Sequence, residues 1–211
     1  EANLPPNVAL WPDASRTPLG LDFDAGRVFF SGVRLQSTDQ TSERLAEALL
    51  DSGSFSLEIW CGTDIPLQSG PARILTLSED ENSRAFALAQ DSQDLVVWLR
   101  TNSTGPEGRA LELRYRVFHE EGLRHLLLVF DGSRGTEVLY IDGISVASAL
   151  HADGQGEASA LGWVAEGLRF GLGDEFGADF PWLGFVDQVR VWDRALDPDQ
   201  AQIVFSQFLL Q

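Results

Sequence analysis

From Arg27 onward the chain is a succession of short runs in which apolar and polar residues alternate. Each run is bounded by Gly, Asp, Asn or Ser. A period of two places successive side chains on opposite faces of a strand. Ser54 to Cys61 is the clearest case. Phe55, Leu57, Ile59 and Cys61 share one face, and Ser54, Ser56, Glu58 and Trp60 share the other. The same reading predicts strands at Arg27–Gly32, Arg73–Ser78, Ala85–Gln90, Asp94–Arg100 and Leu111–Val117. Further strands follow at Arg124–Gly132, Thr136–Gly143, Ile144–Leu150, Leu168–Gly173 and Gly184–Trp192. Asp91-Ser92-Gln93 and Asp131-Gly132-Ser133-Arg134-Gly135 have hairpin composition, and Asp142-Gly143 is a type I′ turn signal.

Helical spacing occurs in two places. Ser42–Leu50 sets Leu45 and Leu49 one turn apart. Near the end, Asp197-Pro198-Asp199-Gln200 offers an N-cap, an N1 proline and a reciprocal N3 glutamine, predicting a short helix over Asp197–Phe208. Residues 1–20 hold Pro5, Pro6, Pro12 and Pro18 and read as an extended lead-in to one domain spanning 21–211. About ten to twelve strands at roughly 8–12-residue spacing, with no βαβ alternation, indicate an all-β antiparallel sandwich or barrel.

Composition narrows the function. The formal net charge is −17, and all 15 basic residues are arginine. Such a surface repels phosphate backbones and anionic membranes, which argues against nucleic-acid partners. No run reaches the ~18–20 apolar residues of a membrane span, so direct membrane insertion by this segment is not expected. The single cysteine, Cys61, alternates with apolar residues and reads as a small buried hydrophobe. The chain does not begin with Met, which suggests a processed product or a domain excised from a larger protein. Of two readings of the acidity, adaptation to high salt or an acidic extracytoplasmic surface, we adopt the second.

Several segments resemble laminin-G-like, concanavalin A-like jelly rolls. Glu137–Gly143 (EVLYIDG) resembles the family's LYVDG hairpin, and Arg124–Gly132 occupies the place of its His-bearing strand, with His125 matching and Leu123 replacing a tryptophan. Ser54–Trp60 is similar to its FTIEAW strand through Glu58 and Trp60. Gly184–Gln200 matches its closing segment at Asp187, Arg190, Arg194, Ala195 and Leu196. The stretch from Ser69 to Gly108 is similar to laminin-G-like domains attached to VanZ-like bacterial membrane proteins. The resemblance covers Leu21 to Phe208. It implies a concanavalin A-like jelly-roll sandwich of two antiparallel sheets, set outside the cytoplasm, at the cell surface, in the periplasm or secreted. It also implies a glycan or an envelope protein as partner, with a membrane-anchored parent. The fold alone does not choose among lectins, hydrolases and structural domains.

Catalytic motifs are sparse. Glycoside hydrolysis needs two carboxylates facing one groove, but the strand bearing Glu58 continues with Trp60 and Gly62. Glu58 is therefore expected to be tied to a neighbouring arginine or amide, and His125 to be a packed strand residue. There is no G-x-S-x-G and no H-E-x-x-H. The expectation is a non-enzyme that recognises a ligand. A purely structural or assembly domain, or a hydrolase with an unrecognised site, are the alternatives. Trp163 and Trp182 sit in loops and are the candidate sugar-stacking residues, unless they fold back to cap the sandwich. Trp60, Trp98 and Trp192 lie on strands and read as packing. Calcium wants hard oxygen ligands; Asp174, Glu175 and Asp179 in one Gly-bearing loop are the candidate set, with Asp22 and Asp24 as a second pair. Asp187, mid-strand, reads as a structural acceptor.

Overall fold

A computed structural model describes residues 2–3, 19–22, 27–31, 34–175 and 180–208. Among them run β1 (Ala2–Asn3), β2 (Leu19–Asp22), β3 (Val28–Ser31), β4 (Leu35–Gln36), helix α1 (Asp39–Ser52), β5 (Phe55–Gly62), β6 (Ala72–Asp80) and β7 (Ser83–Asp91). These are followed by β8 (Asp94–Leu99), a 3-10 turn (Arg109–Leu111), β9 (Leu113–Arg116), β10 (Arg124–Asp131), β11 (Thr136–Ile141) and β12 (Ile144–Leu150). β13 (Arg169–Leu172), β14 (Leu183–Trp192) and helix α2 (Pro198–Phe208) complete the order. The first sheet runs β1-β4-β13-β6-β7-β8-β9; the second runs β12-β11-β10-β5-β14-β2, with β3 also on β14. All pairings are antiparallel except β1 with β4.

The core lies between the sheets. Phe55, Leu57, Ile59 and Cys61 of β5 meet Phe86 and Leu88 of β7 and Leu95, Val97 and Leu99 of β8, as the alternation predicts. The outer face of β5 is buried as well, so all eight of its positions are covered. The cover is α2, whose Ala201 and Val204 join Leu127, Val129, Tyr140, Trp192 and Leu196 in a second apolar cluster. Burying each large apolar side chain there contributes about 1.5–3 kcal/mol, which explains why the helix lies on the sheet.

The helix ends follow local chemistry. At α2 the expected reciprocal cap forms: Gln200 N donates to Asp197 Oδ1 (2.8 Å), and Asp197 N donates to Gln200 Oε1 (3.1 Å). Helix α1 starts earlier than the Leu45–Leu49 spacing suggests, because Thr38 caps it by accepting from Thr41 N. It stops at Gly53, in the left-handed region at φ 67°. Asp142 and Gly143 both have positive φ, 50° and 78°, giving the type I′ geometry expected of that turn. Strand β9 is shorter than expected. Gly108, at φ 70°, brings the chain against the backbone of Leu99, and the 3-10 turn then takes up Leu111. In the lead-in, Ala2–Asn3 and Leu19–Asp22 each add a short strand; Pro5, Pro6, Pro12 and Pro18 lie outside the described residues.

Candidate functional site

The two loop tryptophans fold inward. Trp163 is 5% exposed, and Trp182 is fully buried. Trp163 Nε1 donates to Ala46 O (3.3 Å), and the ring meets Phe55 and Phe86 edge-on. Trp182 Nε1 donates to Gln90 Oε1 (2.8 Å). Buried indoles find a hydrogen-bond partner for their N–H, and here each loop supplies its ring to cap the core. Neither ring presents a face on which a sugar can stack.

The acidic loop is also committed elsewhere. Glu175 is fully buried and takes Arg73 Nε at 2.8 Å and Arg84 Nε at 2.9 Å, one on each carboxylate oxygen. Asp174 Oδ1 accepts from Glu175 N (2.8 Å) and Phe180 N (3.3 Å), a local turn bond. Asp179 lies outside the described residues. The expectation of Glu175 as a calcium ligand is thereby corrected: a dication on it would sit against two guanidiniums. Both guanidiniums also lie over the Trp98 ring, at 4.6 and 5.0 Å. Burial pushes the Arg73 pKa down from its ordinary value, and Glu175 opposes that shift. Asp22 ends β2, but its side chain, like Asp24, lies outside the described residues.

Two more glutamates are fully buried, each in a different part of the fold. Glu58 Oε1 accepts from Trp60 Nε1 (3.0 Å) and lies 3.1 Å from His125 Nε2; Arg190 Nη1 is 3.5 Å from its other oxygen. Glu58 is thus tied to an arginine, and His125 is a packed strand residue with no exposure. Glu137 pairs with His151 at 2.7 Å. Asp187 accepts twice from Arg27, at 2.8 and 3.1 Å, as a structural acceptor. Acids do converge on the outer face of the first sheet, where Asp91, Asp94 and Glu112 gather around the one guanidinium of Arg114. Trp98 Nε1 donates to Glu112 there (2.7 Å).

An open site lies at the edge where the two sheets meet. A groove of about 220 Å³ runs between β9 of one sheet and β12 of the other. Its lining includes Tyr115, Arg116, His119, Arg124, Asp142 and Ile144. Tyr115 is 39% exposed and Ile144 67%. Arg116 donates to the neutral amide of Gln93. Arg124 is held by Asp142 and Glu120, each at 3.1 Å. The lining carries two guanidiniums and an imidazole against one carboxylate, on a chain whose net charge is −17. The alternation of Leu111–Val117 shows arginines on one side of a strand. It does not show that this strand is a sheet edge, and so it did not single out Tyr115.

A family model described as the concanavalin A-like lectin/glucanases superfamily matches residues 37–202. The chain belongs to this superfamily. The sheet order around it is that of a jelly-roll sandwich, and similar solved structures agree. The receptor binding domain of the botulinum neurotoxin C/D mosaic serotype superposes with a TM-score of 0.60 at 13% identity, covering 88% of this chain and 43% of that one. The binding domain of botulinum neurotoxin serotype D gives 0.57 at 13%, covering 88% and 44%. That of neurotoxin DC, solved in complex with rat synaptotagmin II, gives 0.53 at 13%, covering 75% and 37%. This concanavalin A-like chain therefore spans less than half the length of those chains, and the likeness speaks to the fold. No curated protein matches its sequence.

Proposed function

We propose that this domain is a non-catalytic recognition module, which binds a glycan or a protein at the cell envelope through the groove between β9 and β12. The observation that carries the reading is the half-open Tyr115 ring beside Arg116, His119 and Arg124 in that groove. An aromatic face flanked by fixed donors offers both contact area and orientation to a ligand. Binding roles recorded for similar sandwiches support it, one of them solved with a protein partner. The three buried glutamates support the non-catalytic part, because each is spent on its own arginine or histidine partners. A retaining glycosidase needs two carboxyl groups about 5–5.5 Å apart on one groove. The extracytoplasmic setting rests on the sequence resemblance and on the acidic surface.

The test is a glycan array probed with the intact chain and with Tyr115→Ala and Arg116→Ala. Retained glycans should lose about tenfold or more in affinity in either variant. Binding that survives both substitutions places the site elsewhere. Release of new reducing ends from a bound glycan overturns the non-catalytic assignment.

A further inference from the structure

A hollow of about 430 Å³ lies between the outer face of β14 and one side of α2. The helix contributes Gln200, Ile203, Val204 and Gln207, spaced so that they form a single stripe. Across from them stand Arg190 and Trp192 of β14, with Arg194 just beyond its end. The floor is apolar, with Trp192 and Val204 only 5% and 8% exposed. Ile203, 53% exposed, carries that apolar surface out to solvent.

The polar part of the wall is cationic. Arg190 places one Nη 3.5 Å from Glu58, and its other guanidinium nitrogens have no partner among the described residues. Arg194 pairs with no acid among the described residues, and its buried Nε has no acceptor. A buried donor left in this state is unfavourable and uncommon in folded proteins. Acids are plentiful in this chain, 32 against 15 basic residues. Arginines elsewhere find them: Arg27 takes Asp187, Arg124 takes Asp142 and Arg134 takes Asp131. Among the described residues no carboxylate lines the hollow. Asp197, just before the helical stripe, is spent on capping α2. Gln200 Oε1 accepts from Asp197 N in the same cap, which leaves its amide N–H groups to donate.

We propose that this hollow binds a small organic acid, a carboxylate carried on an apolar body. The carboxylate meets Arg194 and Arg190, whose planar guanidiniums suit its two oxygens. The apolar body lies against Trp192 and Val204 with Ile203 beside it, where it leaves water. The hollow has the size of a small-molecule site, within the usual range of about 300–1,000 Å³. An inorganic anion would use only the guanidiniums, and a neutral apolar molecule only the floor. The combined wall selects a ligand with both features. The hollow and the edge groove share no lining residue, so this site stands apart from the recognition role proposed above.

The test titrates the full chain with octanoate, with indole-3-acetate, with the neutral amide of each, and with sodium sulfate. It follows the Arg194 Nε–H and Trp192 indole N–H resonances, assigned with Arg194→Gln and Trp192→Phe. At least one acid should shift both resonances saturably. Its amide should bind about tenfold more weakly, for want of a charge-assisted contact, and sulfate should shift neither resonance over the same concentrations. Read on Trp192, Arg194→Gln should raise the midpoint of the acid about tenfold, and Ile203→Ser about threefold. Arg194 makes no side-chain pairing in the fold and Ile203 is exposed, so both variants keep the folded state. Tyr115→Ala should leave the midpoint unchanged. The proposal is overturned if neither acid gives a saturable shift, or if acid and amide bind alike. An unchanged midpoint in Arg194→Gln overturns it as well. Sulfate binding as tightly as the acids reduces the hollow to a general anion contact and also overturns it. Binding lost only in Tyr115→Ala assigns the acid to the edge groove and defeats this proposal while leaving that reading standing.

Discussion

His151 Nε2 lies 2.7 Å from Glu137 Oε2, with both side chains fully buried. The other ring nitrogen of His151 is 3.3 Å from Thr101 Oγ1, so the imidazole ties β11 to the loop after β8. Burial pushes the Glu137 pKa up, against the opposing pull of His151. The native state therefore holds its proton to higher pH than the unfolded chain does. Between the ordinary glutamate pKa and the raised one, the native state binds more protons, and stability falls as pH rises. Glu137→Gln removes that slope. In urea melts from about pH 4 to pH 8, spanning the ordinary carboxylate and histidine ranges, the wild-type stability minus that of Glu137→Gln should decline as pH rises. A difference that grows with pH would mean that Glu137 acts as a stabilising anion.

Glu175 is the shared partner of two buried guanidiniums, and removing it leaves both charges without that partner. Breaking a buried ion pair from one side costs about 3–5 kcal/mol. Glu175→Gln should lower the unfolding free energy obtained from urea melts by an amount in that range. A loss under about 1 kcal/mol, the usual value of a surface ion pair, would show that the triad is open to water.

Cys61 is fully buried, and burial raises its thiol pKa well above the ordinary value. The thiolate is the reactive form. A chromogenic disulfide reagent should leave Cys61 untouched in the native protein and label it only as urea unfolds the chain. Prompt labelling under native conditions would place Cys61 at an accessible surface.

Two glycines of similar setting in sequence should behave oppositely. A Cβ on Gly132 would lie 1.9 Å from the carbonyl oxygen of Gly53, and backbone cannot give way cheaply; one on Gly154 meets nothing within 4 Å. Gly132→Ala should destabilise by about 2 kcal/mol or more, while Gly154→Ala stays within about 0.5 kcal/mol of wild type. Thermal melts of the two variants distinguish the outcomes, and equal melting temperatures would contradict the packing of β10 against the end of α1.

Much of the fold was legible because alternation is a local signal. The apolar half of β5 points inward as its sequence says, and the Asp142–Gly143 turn and the Asp197–Gln200 cap form as their residue types require. Strand pairing was less legible. Nothing local announces that β9 is an edge, or that β5 lies between β10 and β14. The site was less legible still. Trp163 and Trp182 stand in polar loops, yet their indole N–H groups reach Ala46 O and Gln90 Oε1, and the loops close over the core. Glu175 sits in an acidic run that reads as a cation loop, but Arg73 and Arg84 reach it from 102 and 91 residues away.

By itself, then, the sequence determined the strands, their inward faces, the turns and the helix caps, because each depends on residues a few positions apart. The resemblance of its motifs to a known family supplied the jelly roll. Only the tertiary structure decided which loop residues are buried, which strand is exposed at the edge and which face α2 covers. Those outcomes depend on partners brought together across long stretches of chain. There burial and charge pairing outweigh the local preference of a tryptophan or a glutamate.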